Sequence, residues 1–221
     1  NRELTTKIDD INVFNYVGWS GLELFKFSLS QRKKITNRML KDLKPELIDK
    51  EKIFFTTVGG IKLTSNTLNT TLNEYDLADF TNSENFEFEA LQQTEIFMIS
   101  SNKSKNIKEK SNFINFKKDI ERKNLWGNQI ISRPYEGKEL TLVLFELKQG
   151  FKFEDKGHDN EQFTWLIQGE MDFYSGDKGK LLNSNTGISI GANQIHGGIS
   201  RGAIGFDAFF PKRNEIKYRN K

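Results

Sequence analysis

The chain has no cysteine, three prolines and only two histidines among its 221 residues. The absence of cysteine excludes disulfide bonds, thiolate nucleophiles and zinc or iron–sulfur sites built on cysteine. The longest apolar run, Leu140 to Leu147, is far shorter than the roughly 20 residues of a membrane-spanning helix. With 36% hydrophobic and 29% charged residues, the composition is that of a globular protein.

Signals for targeting, nucleic acids and nucleotides are also lacking. The N-terminal stretch NRELTTKIDDINVF has no apolar core of a signal peptide, and we expect a cytoplasmic protein. The net charge is only +3, and the basic clusters at 102–110 and 212–221 are typical of solvated linkers or tails. We therefore expect no nucleic-acid or membrane partner. There is no phosphate loop, no GxGxxG that opens a helix and no GxSxG nucleophile elbow at a strand-to-helix turn.

Short segments rich in β-branched and aromatic residues dominate the chain, with Gly and Asn turns between them. The predicted strands are Leu22–Leu29, Ile53–Val58, Phe86–Glu89, Glu95–Ser100, Leu140–Leu147, Gln162–Ile167, Met171–Tyr174, Gly187–Ile190 and Ala203–Phe210. Helical patterns are confined to 31–43 and 111–122. Many short strands with closely spaced turns predict an all-β sandwich or barrel.

The two halves of the chain resemble each other at a constant offset, which places Gly59 over Gly169 and Phe86 over His196. In both copies a strand ends in a glycine turn and a second strand follows. We predict a first domain over 1–110, a charged connector over 111–125 and a second domain over 126–221.

The second half resembles the cupin family over about residues 138–213. Gly150, His158, Gln162 and Gly169 fall on the spacing of the first cupin motif, and His196 falls on the single histidine of the second. The resemblance implies two cupin-type double-stranded β-helix barrels, of jelly-roll type, with a few short helices. The family carries a further histidine two residues before His158, where this chain has lysine.

The motif positions imply a divalent metal. In a continuous strand His158 and Gln162 share the inward face with Thr164, and His196 comes from another strand. Two imidazoles and one amide oxygen suit Zn, Mn, Ni or Fe(II). Lys156, in the place of the first family histidine, removes a ligand and can put an ammonium beside the cation, which weakens metal binding.

A metal-free pocket is the alternative interpretation, in which Lys156 acts as a catalytic cation for a carboxylate substrate. The sequence leaves both interpretations open. In the first half the constant offset leads to Glu46, Ile48, Lys52 and Phe86, which do not form a site. We expect that half to be scaffold, with Phe86 filling its barrel.

The last predicted strand continues into an Asp-x-Phe-x-Pro-x-Arg ending. This ending is similar to that of small cupins of pectin and alginate breakdown, which convert cyclic unsaturated monouronates to open-chain keto forms. The resemblance implies that Asp207 moves protons, Phe209 packs on the sugar ring and Arg213 binds the uronate carboxylate, with Thr164 in the same pocket. The alternative for Asp207 and Arg213 is a salt bridge that closes the barrel.

These observations together predict a metal-dependent cupin enzyme that isomerises a small carboxylated sugar or opens its ring. The alternative function is a non-catalytic cupin that binds a small anionic or sugar ligand. Phe163, Trp165 and Ile167 alternate with the inward residues and form an apolar row on the other face. We expect the first half, or a second copy in a homodimer, to cover this row.

Overall fold

The computed structural model describes residues 3–17, 21–80, 85–101 and 111–213. Antiparallel strands make up most of this part of the chain, which confirms the predicted all-β fold. The chain divides into two compact units, Asn1–Asp119 and Ile120–Lys221. Among the helices described, none is both long enough and apolar enough to cross a membrane.

The first unit contains strands in two antiparallel sheets and a few short helices. Its strands are β1 (Glu3–Ile8), β2 (Ile11–Val17), β3 (Leu22–Leu29), β4 (Lys34–Thr36), β5 (Lys52–Val58), β6 (Ile61–Ser65), β7 (Asn69–Leu72), β8 (Asp76–Phe80), β9 (Phe86–Ala90), β10 (Thr94–Ser101) and β11 (Asn112–Asn115). Its helices are α1 (Asn37–Leu43), a 3-10 helix (Pro45–Asp49) and α2 (Phe116–Asp119). The larger sheet has the order β1-β2-β3-β10-β5-β8-β11, and the smaller one has the order β4-β9-β6-β7.

Phenylalanine rings fill the interior of the first unit. The ring centroid of Phe86 lies 5.1 Å from that of Phe54, 4.9 Å from Phe80 and 5.3 Å from Phe88. All four rings are buried, and such edge-to-face and tilted contacts stabilise a core beyond simple area burial. Phe86 therefore lies in the hydrophobic core, as the sequence predicts.

The lysine in the first unit that matches Gln162 by the offset also has a structural role. Lys52 is buried, and its ammonium donates to the backbone carbonyls of Leu47, Ile48 and Lys50 at 3.2, 2.9 and 2.6 Å. Burial lowers the pKa of Lys52 to about 8. These bonds hold the end of the 3-10 helix against the start of β5.

The second unit is one sheet that curls on itself. Its strands are β12 (Lys123–Leu125), β13 (Ile130–Glu136), β14 (Thr141–Leu147), β15 (Lys152–Asp155), β16 (Glu161–Ser175), β17 (Lys178–Asn183), β18 (Thr186–Ile190) and β19 (His196–Phe210). The main path is β12-β13-β14-β19-β16-β17, while β15 pairs with β19 and β18 pairs with β16. Leu166, Met171 and Phe173 belong to the core of this unit.

Glycines in equivalent positions mark the repeat in both units. Gly59 has φ +82° and Gly169 has φ +80°, a left-handed conformation that side chains rarely adopt. A Cβ on Gly59 would lie 2.4 Å from the carbonyl oxygen of Gln93, and one on Gly169 would lie 1.8 Å from that of Gly202. The two glycines that the sequence offset pairs therefore share the same requirement, a left-handed backbone with no room for a Cβ.

Several predicted element bounds differ from the structure. Within 31–43 only Asn37–Leu43 is α-helical, because the preceding residues pair with β9 as β4. Within 111–122 the chain forms β11 before the single turn α2. The segment 111–125, predicted as a connector, thus gives β11 to the first unit and β12 to the second. Strand pairing overrides the helical pattern at both places.

Two predicted strands merge into one long strand. Gln162–Ile167 and Met171–Tyr174 are both parts of β16, whose pairing with β19 shifts register on either side of Gly169. A bulge at a glycine lets a strand bend without ending, so the glycine did not mark a strand boundary. The apolar row Phe163, Trp165 and Ile167 is buried within the single chain.

We predict that the bulge at Gly169 is essential for the second unit. In Gly169→Ala the new methyl group meets backbone rather than a movable side chain, so we expect the free energy of unfolding to fall by roughly 3 kcal/mol or more. Gly176→Ala is the matched control, because Gly176 has φ +55° but nothing within 4 Å of an added Cβ. We expect it to cost only about 1 kcal/mol. Urea unfolding followed by tryptophan fluorescence measures both, and equal costs would contradict this account.

Candidate functional site

Antiparallel pairing of β19 with two other strands assembles the candidate site. Asp155, the last residue of β15, stands opposite His196, the first residue of β19. At the other end of β19, Asp207 stands opposite Thr164 of β16. Cross-strand partners in these ladders have Cβ atoms about 5 Å apart, so residues distant in sequence become neighbours.

The two histidines converge, as the cupin resemblance requires. Their ring centroids lie 5.4 Å apart and the rings are perpendicular at 89°. Nδ1 of His196 lies 2.9 Å from the carbonyl oxygen of Gln194, an acceptor, so this nitrogen carries the proton. Nε2 of His196 is then the nitrogen with a free lone pair, the arrangement found in metal-binding histidines.

His158 presents a buried nitrogen without a hydrogen-bond partner. Its Nε2 lies 3.0 Å from Oε1 of Gln162, while no partner for its Nδ1 is found in the described part of the chain. Burial, together with the charge of Arg213, lowers the pKa of His158. The imidazole is therefore neutral near pH 7, which is the form that binds metal.

Asp155 completes the group, and the sequence analysis missed it. One ligand atom from each of Asp155, His158 and His196 lies within 4.8 Å of the others. Burial raises the pKa of the Asp155 carboxyl, but the Gly157 N–H, the histidines and Arg213 outweigh it, so the net shift is downward. Asp155 is thus anionic at neutral pH, the form that can serve as an oxygen ligand.

Lys156 does not share the inward face, contrary to the expectation from strand alternation. β15 ends at Asp155, and Gly157 has φ +100°, so the chain leaves the strand before His158. The alternation counted backward from His158 therefore breaks at this turn. Lys156 is exposed at the rim of the cavity, and Asp155 occupies the inward position instead. The signal that could have identified Asp155 is alternation along β15, which puts Asp155 on the same face as the apolar Phe153. In the structure both are less exposed than their neighbours.

An ordered hydrogen-bond chain connects Gln162 to Asp207. The hydroxyl of Thr164 donates to Oδ1 of Asp207 at 2.6 Å. The amide nitrogen of Gln162 lies 3.1 Å from the same carboxylate oxygen and 2.9 Å from the hydroxyl of Thr164. Because both are acceptors, the amide nitrogen must face them, and the amide oxygen must face His158.

Asp207 has the most clearly perturbed carboxyl of this site. Burial raises its pKa to about 6, against the opposing effects of Thr164, Gln162, His196 and Arg213. A carboxyl with a pKa near 6 can accept and return a proton near neutral pH.

Phe209 and Arg213 lie next to His158 and Asp155. The Phe209 ring lies 5.6 Å from that of His158, and the Arg213 guanidinium lies 5.0 Å from the Phe209 centroid. Arg213 also donates to the Asp155 carboxylate at 3.3 Å. The salt bridge of Arg213 is therefore made with Asp155 rather than with Asp207.

Apart from His158, these groups line one cavity of about 700 Å³, and His158 contacts two of the lining residues, Gln162 and Phe209. Its polar lining includes Asp155, Gln162, Thr164, His196, Asp207 and Arg213. Apart from Lys156, the side chains proposed from the sequence come together at this end of the barrel. Cavities of roughly 300–1,000 Å³ accommodate small-molecule ligands.

No protein-family model and no curated protein matches the chain. Solved structures do match. The cupin 2 conserved barrel domain protein from Leptotrichia buccalis is 15% identical with a TM-score of 0.67, over 94% of this chain and 92% of that one. AerE from Microcystis aeruginosa is 9% identical with a TM-score of 0.76, over 96% of this chain and 97% of that one.

A third match is oxalate decarboxylase from Bacillus subtilis, a protein with Mn(II) centres. It is 9% identical with a TM-score of 0.72, over 96% of this chain and 76% of that one. The chain has the cupin fold. Identities this low establish the fold alone, so the function must be argued from the residues of the site.

The residues present fit a divalent metal. Two neutral imidazoles and one carboxylate are the ligands of many Fe(II) and Zn sites, and Mn accepts the same set. Nδ1 of His158 is buried without a hydrogen-bond partner among the described residues, which costs free energy. A bond from this nitrogen to a cation would remove that cost. The amide oxygen of Gln162 lies 3.0 Å from Nε2 of His158 and, as an acceptor, holds the ring with Nδ1 free for an ion.

We predict that Asp207 makes the metal-free protein less stable as the pH rises. Its folded pKa of about 6 lies above the unfolded value of about 3.9, so protonation favours the folded state. This contribution is complete below about pH 4 and is lost as the pH rises through 6. Asp207→Asn removes the charge while keeping an acceptor for Thr164.

The variant should therefore gain stability relative to wild type between pH 4 and pH 8, by up to about 3 kcal/mol. Urea unfolding with a chelator present, at several pH values, measures this difference. Thr164→Ser serves as a control, since it keeps the hydroxyl donor and the carboxyl. Parallel stability curves for wild type and Asp207→Asn would contradict the raised pKa.

Proposed function

We propose that the chain is a bicupin enzyme whose second unit binds a divalent metal and acts on a small carboxylated sugar. The reaction would be isomerisation or ring opening of a uronate-like substrate. The single observation that carries the proposal is the convergence of Asp155, His158 and His196 within 4.8 Å, beside a cavity that Asp155 and His196 line. The first unit, with its interior filled by phenylalanine, would serve as scaffold.

Cupin-fold neighbours support the metal part of this proposal. The oxalate decarboxylase of Bacillus subtilis has Mn(II) centres, and its fold matches this chain. In this chain Asp155, His158 and His196 would hold the ion, and Gln162 would orient the His158 ring through its amide oxygen, or join the ligands if that oxygen turned away from Nε2 of His158. Mn, Fe(II), Zn and Ni all accept such nitrogen and oxygen donors. A bound divalent ion would polarise a sugar oxygen as a Lewis acid.

The remaining side chains supply the other parts that such a reaction needs. Asp207, with a pKa of about 6, would take a proton from one sugar atom and return it to another. Arg213 would bind the carboxylate through its planar guanidinium, and the Phe209 ring would pack against the sugar face. Thr164 would hold the Asp207 carboxylate in place.

One observation favours a second candidate, a non-catalytic cupin that binds an anion or a sugar. The Asp155 carboxylate already accepts from Arg213 at 3.3 Å and from the Gly157 N–H at 2.9 Å. Both bonds compete with a metal for the same oxygens. In this case Arg213, with Lys156 at the rim, would hold the ligand without an ion.

A cytoplasmic location and a homodimer remain predictions.

Metal binding and turnover test the proposal together. We expect wild-type protein to bind one Zn(II) or Mn(II) per chain and to convert an unsaturated monouronate only when loaded. Asp155→Ala and His158→Ala should each weaken metal binding by roughly a hundredfold or more, because each removes a ligand. Lys156→Ala is the matched control and should leave metal affinity within about twofold, since Lys156 is exposed.

Isothermal titration measures the affinity, and loss of the enol-acid absorbance measures turnover. Asp207→Asn should keep the metal and lose turnover. Metal binding that is indifferent to Asp155 and His158 would refute the metal centre. Uronate binding without turnover in the loaded protein would favour the non-catalytic candidate.

A further inference from the structure

An aromatic wall lines the part of the cavity that the proposed reaction does not use. We define it as Trp126, Phe151 and Phe153. The ring of Phe151 stacks on that of Phe153 at 6.3 Å and 10°, and Trp126 lies 5.7 Å from Phe151. All three side chains line the same cavity as His196.

This aromatic wall adjoins the candidate metal centre. The Phe173 ring stacks on His196 at 6.1 Å and also lines the cavity. Phe153 packs over Gly198, two residues beyond His196, where a Cβ would lie 3.3 Å from the Phe153 ring. A ligand that reaches the histidines can therefore extend along Phe153 and Phe151 to Trp126.

The backbone at Trp126 is strained. Trp126, Gly127 and Asn128 have φ values of +47°, +60° and +66°, and Gln129 N–H donates to the Trp126 carbonyl across this turn. Gly and Asn adopt this conformation readily, but a bulky residue does so at a cost. Such strain concentrates at ligand-binding positions. The indole is nevertheless 37% exposed, so packing of the side chain in a core does not account for its presence.

The chemistry of the aromatic wall selects the class of ligand. Ile130 and Leu147 flank it in the cavity, and their side chains offer no hydrogen-bond groups to sugar hydroxyls. The polar neighbours of Phe153 in the lining, Lys152 and Glu154, are exposed, and Glu154 already accepts from the Tyr174 hydroxyl at 3.1 Å. A planar apolar ring that stacks on Trp and Phe therefore gains more there than a second sugar gains from hydrogen bonds. The cavity of about 700 Å³ has room for such a ring beside a polar head group.

We propose that the aromatic wall is a second subsite, which binds a planar apolar ring joined to the carboxylated group held at Arg213 and the histidines. The ligand class is then a carboxylate with an aryl substituent, such as an aryl uronide. The position of the carboxylated group rests on the proposed function. The subsite itself rests on Trp126, Phe151 and Phe153.

Two matched pairs of ligands test the subsite by isothermal titration. The first pair is phenyl and methyl β-D-glucuronide, and the second is 3-phenylpropionate and propionate. In wild type the phenyl member of a pair should bind roughly tenfold more tightly than its partner. In Trp126→Ala this ratio should fall to within about twofold of unity, and Trp126→Phe should retain most of it.

Leu181→Ala is the control, because Leu181 is 39% exposed on β17 and lies outside the cavity lining. Its ratio should equal that of wild type. Phe151→Leu gives a second test of the subsite should Trp126→Ala fold poorly, and it should lower the ratio as well. The subsite would be overturned if the ratio of phenyl-ligand affinity to partner-ligand affinity were nearly the same in wild type, Trp126→Ala and Phe151→Leu.

The two ligand pairs separate this inference from the proposed function. A Trp126-dependent phenyl preference among the propionates, with no uronide binding, would support the subsite and refute the uronate substrate. Uronide binding with no phenyl preference in either pair would support the uronate substrate and overturn the subsite. Titrations with and without Zn(II) show whether the preference depends on the metal.

Discussion

The antiparallel pairing of β19 with β15 and β16 is the constraint on which the candidate site depends. One strand carries His196 at its start and Asp207 near its end, and its partners present Asp155 and Thr164 opposite them. The bulge at Gly169 lets β16 follow β19 through the bend of the barrel. Residues more than 50 positions apart thereby share one cavity, and no single loop determines the site.

Hydrogen-bond direction then couples the two ends of the polar site. The acceptors Asp207 and Thr164 fix the amide nitrogen of Gln162, which turns its oxygen toward His158. A glutamate at this position would place a second carboxylate within hydrogen-bonding distance of Asp207, and like charges that close oppose ionisation. Glutamine therefore suits the proposed roles of Asp207 in proton transfer and of Asp155 as an anionic ligand.

Much of the fold followed from sequence, because glycine turns, strand alternation and the repeat are local signals. The histidine pair followed from the cupin motif. The misplacement of Lys156 and the omission of Asp155 share one cause: alternation fixes a face only while a strand continues, and β15 ends at Asp155. Trp126 was missed because nothing in sequence shows which turn residue reaches a cavity formed by distant strands.

Anomalous X-ray diffraction from crystals soaked in Zn(II) tests the central claim most directly. The account predicts a single strong peak in the second unit, with bonds of about 2.0–2.2 Å to Asp155, His158 and His196. The Arg213 guanidinium should then have moved away from the Asp155 oxygen that it contacts at 3.3 Å. A saturating soak that leaves no peak between the two imidazoles, or places zinc only elsewhere, would contradict it.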